Sequence, residues 1–183
     1  MKKSSDIKKP VDKTTKKSST AKVEAKVKAA LLEKAKSLRS CALFQDLDDE
    51  QIRRMATQFH RNTYEAGETI FKQGDLGHKI YIVSKGQVSL ERLVNLGGGE
   101  ANVMVSLLGR YRLLGCWACI LGESRNLTES AVCKRQTLVI SAEGAELRDF
   151  LEGDPQLETV LLHRLCIMLG DKIQEAYSAW DFL

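Results

Sequence analysis

Apolar residues recur at steps of three and four from Ala21 onward, at Val23, Val27, Leu31, Ala35 and Leu38, with lysines between them; this spacing predicts an amphipathic helix over residues 21–40. The following run, LFQDLDDEQIRRMATQFHRNTY, predicts a short helical stretch with Ile52, Met55, Ala56 and Phe59 on one face and Asp48 or Asp46 near its start. Beyond it the period changes. ETIFKQGD, KIYIVSKGQVSLERLV, NVMVSLLG and QTLVIS are short β-rich runs separated by glycine-containing turns, the pattern of a sandwich or barrel. The last third is helical again: GAELRDFLEGDP predicts a short helix closed by Gly153 and Pro155, and a long helix is expected over 156–180. In that helix Leu157, Val160, Leu161, Leu165, Met168, Leu169, Ile173, Ala176 and Tyr177 form a stripe wide enough for the protein's own barrel and for a second subunit.

Charge divides the chain where the pattern does. The first forty residues carry 13 Lys/Arg against 4 Asp/Glu, the remaining 143 carry 15 against 20, and the overall +4 hides this contrast. Residues 1–20, rich in Lys, Ser and Thr, bury too little to offset the entropy of ordering and are expected to be a disordered basic tail. Such a tail can bind nucleic acid nonspecifically, though a solvated charge run is the commoner explanation. Residues 41–183 are then the single folded domain. No apolar run reaches the roughly 18–20 residues of a membrane span, and the charged N-terminus does not resemble a signal peptide, so a cytoplasmic location is expected.

The five cysteines, an odd number in apolar surroundings, read mostly as small buried hydrophobes rather than a disulfide framework. Cys116 and Cys119 form C-W-A-C, a spacing used in thiol exchange, but no βαβ pattern surrounds it, and Cys133 with the dispersed His60, His78 and His163 completes no four-ligand metal set. His163, between Leu162 and Leu165, reads as a core or interface imidazole; His60 and His78 read as solvated. No Ser–His–Asp set or Walker-type loop is present, and Asp46, Asp48, Asp49 and Glu50 are explained by the dipole of the helix they open. The chain reads as a non-enzyme with no cofactor.

The order of elements resembles the cyclic nucleotide-binding domain family, which includes the catabolite-activator and fumarate–nitrate regulators. The matches are LFQDL at 43–47 and YEAGETIFKQGDLGHKIYIVSKGQVSL at 64–90, where Gly67, Glu68, Ile70, Phe71, Gly74 and Asp75, then Tyr81-Ile82-Val83 and Gly86, follow the family pattern. The resemblance covers about residues 40–180. It implies a mainly β fold with flanking helices, a double-stranded β-helix (jelly-roll) barrel carrying a long C-terminal helix, without the regulators' DNA-binding helix-turn-helix. It also implies a phosphate-binding cassette, usually F-G-E-x-A-L followed by R-x-A-[ST].

Here LLGCWACILGESRNLT stands at that place. Leu114-Gly115-Cys116-Trp117-Ala118-Cys119 lies on the first motif and Arg125 on its arginine, so the ligand-binding residues implied are Gly115, Cys116, Trp117, Ala118, Arg125, Asn126 and Thr128. Backbone N–H groups and a guanidinium suit a phosphate, and the expected ligand is a cyclic nucleotide, cAMP first. Cys116 replaces the family's glutamate, which accepts a ribose hydroxyl; losing that bond costs roughly 1.5–3 kcal/mol. Two alternatives therefore stand beside the sensor: an interaction or dimerisation module that binds no nucleotide, and a thiol or haem redox sensor. Expected partners are the nucleotide, a second copy through the C-terminal helix, and an effector protein.

Overall fold

The computed structural model describes residues 14–180; residues 1–13, and with them most of the expected disordered tail, lie outside the described residues. Helix α1 spans Thr14–Arg39 and so begins before the Ala21 read from the pattern. Lysine is a good helix former, serine and threonine cost only tenths of a kcal/mol, and no proline or glycine interrupts propagation over this range. Its apolar stripe meets the body only in the last turns. Ser37 and Leu38 are buried, whereas Val27 and Leu32 are 64% and 72% exposed. There the Ser37 and Ser84 hydroxyls meet at 2.6 Å, and Lys34 Nζ donates to the Phe59 carbonyl at 2.7 Å.

A 3-10 turn at Ala42–Phe44 leads to α2, Asp49–Thr57. Asp48, not Asp46, caps α2: its side chain accepts from Gln51 N at 2.8 Å while Gln51 Oε1 accepts from Asp48 N at 2.9 Å. Ile52, Met55, Ala56 and Phe59 are all buried, as the pattern predicts. The helical stretch is shorter than its sequence suggests, because His60–Tyr64 is a strand, β1. Its residues are exposed or half-buried, so no apolar alternation marks it; pairing to the strand Thr137–Glu143 holds it.

The remaining strands are β2 (Thr69–Phe71), β3 (Leu76–Gly77), β4 (Lys79–Lys85), β5 (Val88–Asn95), β6 (Glu100–Leu108), β7 (Leu113–Gly115), β8 (Arg125–Asn126), β9 (Ser130–Cys133) and β10 (Thr137–Glu143). They form two four-stranded antiparallel sheets, β1-β10-β4-β7 and β2-β9-β5-β6, with a small β3-β8 pair. This is the expected jelly-roll class. Alternation along β4 joins its two sides: Ile80 and Ile82 pack under the helices, while Tyr81 and Val83 face the barrel interior with Phe71, Val88, Leu108, Leu114, Ala131 and Cys133. Strand β10, paired on both sides, is buried from Thr137 to Ala142.

Helix α3, Gly144–Glu152, and helix α4, Pro155–Trp180, close the fold. Pro155 opens α4 where its missing N–H costs nothing, and Asp154 Oδ1 accepts from Leu157 N at 3.2 Å. Leu157, Leu161 and Leu165 are buried against the body, but Leu169, Ile173 and Tyr177 are 43%, 57% and 68% exposed, so the outer half of the stripe is uncovered. His163 is exposed, which corrects the core part of its core-or-interface reading: it falls off the buried face set by Leu161 and Leu165. Among the described residues no helix is long and apolar enough to cross a membrane.

Candidate functional site

The cassette begins where β7 must turn sharply beside β4. Gly115 has φ +96°, and a Cβ there would sit 2.6 Å from the Lys79 carbonyl oxygen and 2.8 Å from the Tyr81 ring, so only glycine fits. Cys116 N then donates to that same Lys79 oxygen at 3.0 Å. A five-residue 3-10 helix, Trp117–Leu121, follows and ends on Gly122 in the left-handed region, whose N–H meets the carbonyls of Ala118 and Cys119. Strand β8 returns beside β3, placing Arg125 opposite Gly77 and Asn126 opposite Leu76.

A cavity of about 600 Å³ opens between the barrel, this cassette and α4. Its apolar wall comes from Phe71, Leu90, Leu108, Leu114 and Leu127; Gly115, Trp117, Thr128 and Glu129 line its cassette side; Cys41, Met168 and Lys172 line the side of α1 and α4. Of the residues read from sequence, Gly115, Trp117 and Thr128 are on the wall. Cys116, Ala118, Arg125 and Asn126 are not. Cys116 is buried, with Sγ 3.8 Å from the Glu123 carbonyl oxygen and its Cβ packed against Gly77. Arg125 and Asn126 are exposed, and among the described residues Arg125 has no ion pair and no side-chain hydrogen bond.

Sequence reasoning missed the basic part of the wall, Arg110, Arg112 and Lys172. Its one visible signal was R-Y-R at 110–112, flanked by small and apolar residues. Tyr111, at φ +66°, is the one non-glycine residue with left-handed backbone among those described, and its N–H is held by the Val83 carbonyl at 2.6 Å while Arg112 O accepts from Val83 N at 3.1 Å. This turn puts both flanking arginines on the cavity wall. Arg110 is committed within the protein: Nε donates to the Ser84 carbonyl at 3.1 Å, Nη2 to Tyr111 Oη at 2.9 Å, and its guanidinium stacks 5.0 Å from the Tyr111 ring centre.

The one carboxylate on the wall, Glu129, pairs with Arg92 at 2.9 Å. On α4, Arg164 fastens the helix to the turn before α2: Nε donates to Ala42 O at 2.8 Å, and with the Gln45 amide turned to match, both terminal nitrogens donate to its oxygen at 2.9 and 3.1 Å.

Burial keeps two thiols near the site, Cys119 and Cys41, in the protonated form. Burial, then the neighbouring Cys116, pushes the Cys119 thiol up to about 12, and burial pushes Cys41 up to about 11 against lowering by the Leu43 backbone N–H and then the Arg112 charge. No group of three or more metal-ligating side chains occurs among the described residues.

Two antiparallel sheets rolled around a cavity that a Gly-led cassette and a C-terminal helix close define a small-ligand sensor fold. The profile of the cyclic nucleotide-binding domain matches residues 61–154, and the chain belongs to that family. It is 32% identical over 146 residues to the cyclic AMP receptor protein of Thermus thermophilus, covering 80% of this chain and 63% of that protein. The crystal structure of the Thermus thermophilus catabolite activator protein superposes with a TM-score of 0.65 at 28% identity, over 77% of this chain and 62% of that one. The N-terminal domain of a transcriptional regulator from Streptomyces coelicolor A3(2) gives a TM-score of 0.67 at 24% identity, over 76% and 94%. The chain thus spans less than two thirds of the length of the receptor it matches.

Proposed function

We propose that this chain is a non-enzymatic sensor that binds a cyclic nucleotide in the 600 Å³ cavity, with the ligand phosphate at the cassette and α4 reading occupancy. The observation that carries the reading is that one cavity is walled by the cassette, through Gly115, Trp117 and Thr128, and by α4, through Met168 and Lys172. A ligand there touches both elements at once, so its differential contact can shift the position of α4. Arg125, without a side-chain partner among the described residues and two residues from the wall residue Leu127, supplies the phosphate's countercharge together with N–H groups of the cassette's first turn. The uncovered Leu169, Ile173 and Tyr177 face of α4 then passes the signal to a second copy or an effector protein.

Calorimetric titration of cAMP and cGMP into the full chain and into Arg125→Ala tests this. Saturable binding weakened at least about tenfold by the substitution supports it. No saturable binding of either nucleotide overturns it. The second reading, an interaction module without a nucleotide, is favoured by Cys116, which is buried in the body and off the cavity wall. A chain that binds neither nucleotide and still self-associates through Leu169 and Ile173, lost on changing both to serine, would establish that reading.

A further inference from the structure

Helix α1 meets the body only in its last turns, and the part before Leu31 carries the chain's charge imbalance. Between Thr14 and Leu32 it holds five lysines, Lys16, Lys17, Lys22, Lys26 and Lys28, against one acid, Glu24. The first 28 residues together carry ten lysines and three acids, while residues 41–183 are opposite in sign, with 15 Lys/Arg against 20 Asp/Glu. The described side chains leave this charge open. Every residue from Glu24 to Ala29 is exposed, and packing against the body begins at Leu31 and Ala35. Lys26, Lys28 and Lys36 make no ion pair among the described residues, and Glu33, the next acid along, pairs with Arg61 at 3.5 Å. A solvated helix face gains by interleaving the two signs at i,i+4; Lys22 and Lys26 stand at that spacing with like charge, a repulsion that a polyanion laid along the helix relieves.

Composition narrows the partner. No aromatic residue precedes Phe44 and no arginine precedes Arg39. Without aromatic rings the segment cannot stack on unpaired bases, and without guanidinium forks it has no bidentate grip on a base edge. Lysine is a flexible point charge, suited to phosphates that position a protein and carry no sequence information. A helix lying on lipid needs a face of large apolar side chains, and from Lys2 to Ala30 the chain offers only Ile7, Val11, Val23 and Val27. Duplex nucleic acid, with one charge per roughly 1.7 Å of axis, supplies the dense row of phosphates that such lysines match.

We propose that the lysine-rich N-terminal segment, including the part of α1 before Leu31, binds the phosphates of duplex nucleic acid without reading base sequence. The attachment is separate from the cavity: it tethers the domain to a polyanion while the net negative body is repelled from it.

The test is fluorescence anisotropy of two short DNA duplexes, equal in length and unrelated in sequence, titrated with the full chain over a range of salt concentrations. The two should bind within about twofold of each other, and log K should fall against log salt with a slope of about −4.5 to −6, the counterion release of about five to seven neutralised phosphates. Lys22→Gln/Lys26→Gln/Lys28→Gln should weaken binding at least about tenfold and shrink that slope by about 2.5. Lys22→Arg/Lys26→Arg/Lys28→Arg keeps the charge and should stay within about threefold of the wild type. A single strand of the same length should bind more weakly than the duplex. The proposal is overturned by absence of saturable duplex binding at low salt, by a slope near zero, by a glutamine variant that binds like the wild type, or by an arginine variant that falls with it. Tighter binding of the single strand, or binding to phosphatidylserine vesicles without binding to the duplex, overturns the choice of partner.

Discussion

Three glycine substitutions separate the forces that shape the cassette. Gly98 lies in the β5–β6 turn with nothing within 4 Å of a built Cβ and without left-handed backbone; Gly74 has φ +89° and equally open space; Gly115 has φ +96° and a Cβ position 2.6 Å from a backbone oxygen. Gly98→Ala should therefore change stability by less than about 0.5 kcal/mol. Gly74→Ala takes the left-handed penalty alone, about 1–2 kcal/mol. Gly115→Ala adds the collision with Lys79 O and the Tyr81 ring, which cannot both retreat because Lys79 O also receives the Cys116 N–H. Overpacking of this kind costs about 1–3 kcal/mol, so the total is about 3 kcal/mol, or a fall in Tm of roughly 6–12 °C for a chain of this size. Urea unfolding followed by tryptophan fluorescence, with Trp117 in the cassette as a reporter, measures all three. If Gly115→Ala cost no more than Gly74→Ala, the close approach of β7 to β4 would not be what holds the cassette, and the reasoning would fail.

Arg164→Ala should cost about 1–3 kcal/mol in the same assay, because the Ala42 carbonyl and Gln45 lose a shared donor, and Arg164→Lys should recover less than half of it; a fully rescuing lysine would show that charge, not the fork, matters. Asp48→Ala removes the capping box of α2 and should cost about 0.5–2 kcal/mol, read as a shift in urea midpoint at constant slope. The Leu157 N–H, then Arg54, holds the Asp154 carboxyl below the ordinary aspartate value. A depressed folded value means the contribution is present above the unfolded-state pKa of about 3.9 and is lost as pH falls through the lower folded one, so Asp154→Asn should flatten the acid limb of a Tm–pH profile; an unchanged limb would remove Asp154 from the account. With Cys119 and Cys41 pushed up to about 12 and about 11, a chromogenic disulfide at pH 8 should label exposed Cys166 rapidly and those two only on unfolding; fast native labelling of Cys119 would reopen thiol chemistry.

Much of the architecture was legible because it depends on periodicity and on local backbone demands. The switch from helical spacing to short β-rich runs, the face of α2 at Ile52, Met55 and Phe59, and the stripe of α4 follow from residue order alone. The G-E-x-I-F-x-x-G-D run and the cassette's Gly115 were legible for a similar reason: several of these turns need left-handed backbone, and glycine is the mark it leaves. Strand β1 was not, since an exposed edge strand needs no apolar alternation and draws its pairing from β10, far along the chain. Nor was the packing of α1. Its stripe runs on to Val27, but whether a stripe is covered depends on where the body ends, and here contact stops near Leu31.

The site divides along the same line. The sequence motif at residues 115–128 was legible as a resemblance because it is local. Tertiary structure alone decided that Cys116 turns into the body, that Arg125 lies off the wall, and that Arg112 and Lys172, sixty residues apart, line one cavity. Spacing along a chain carries the conformation of each segment; which side chains share a volume is decided only when distant segments pack against one another.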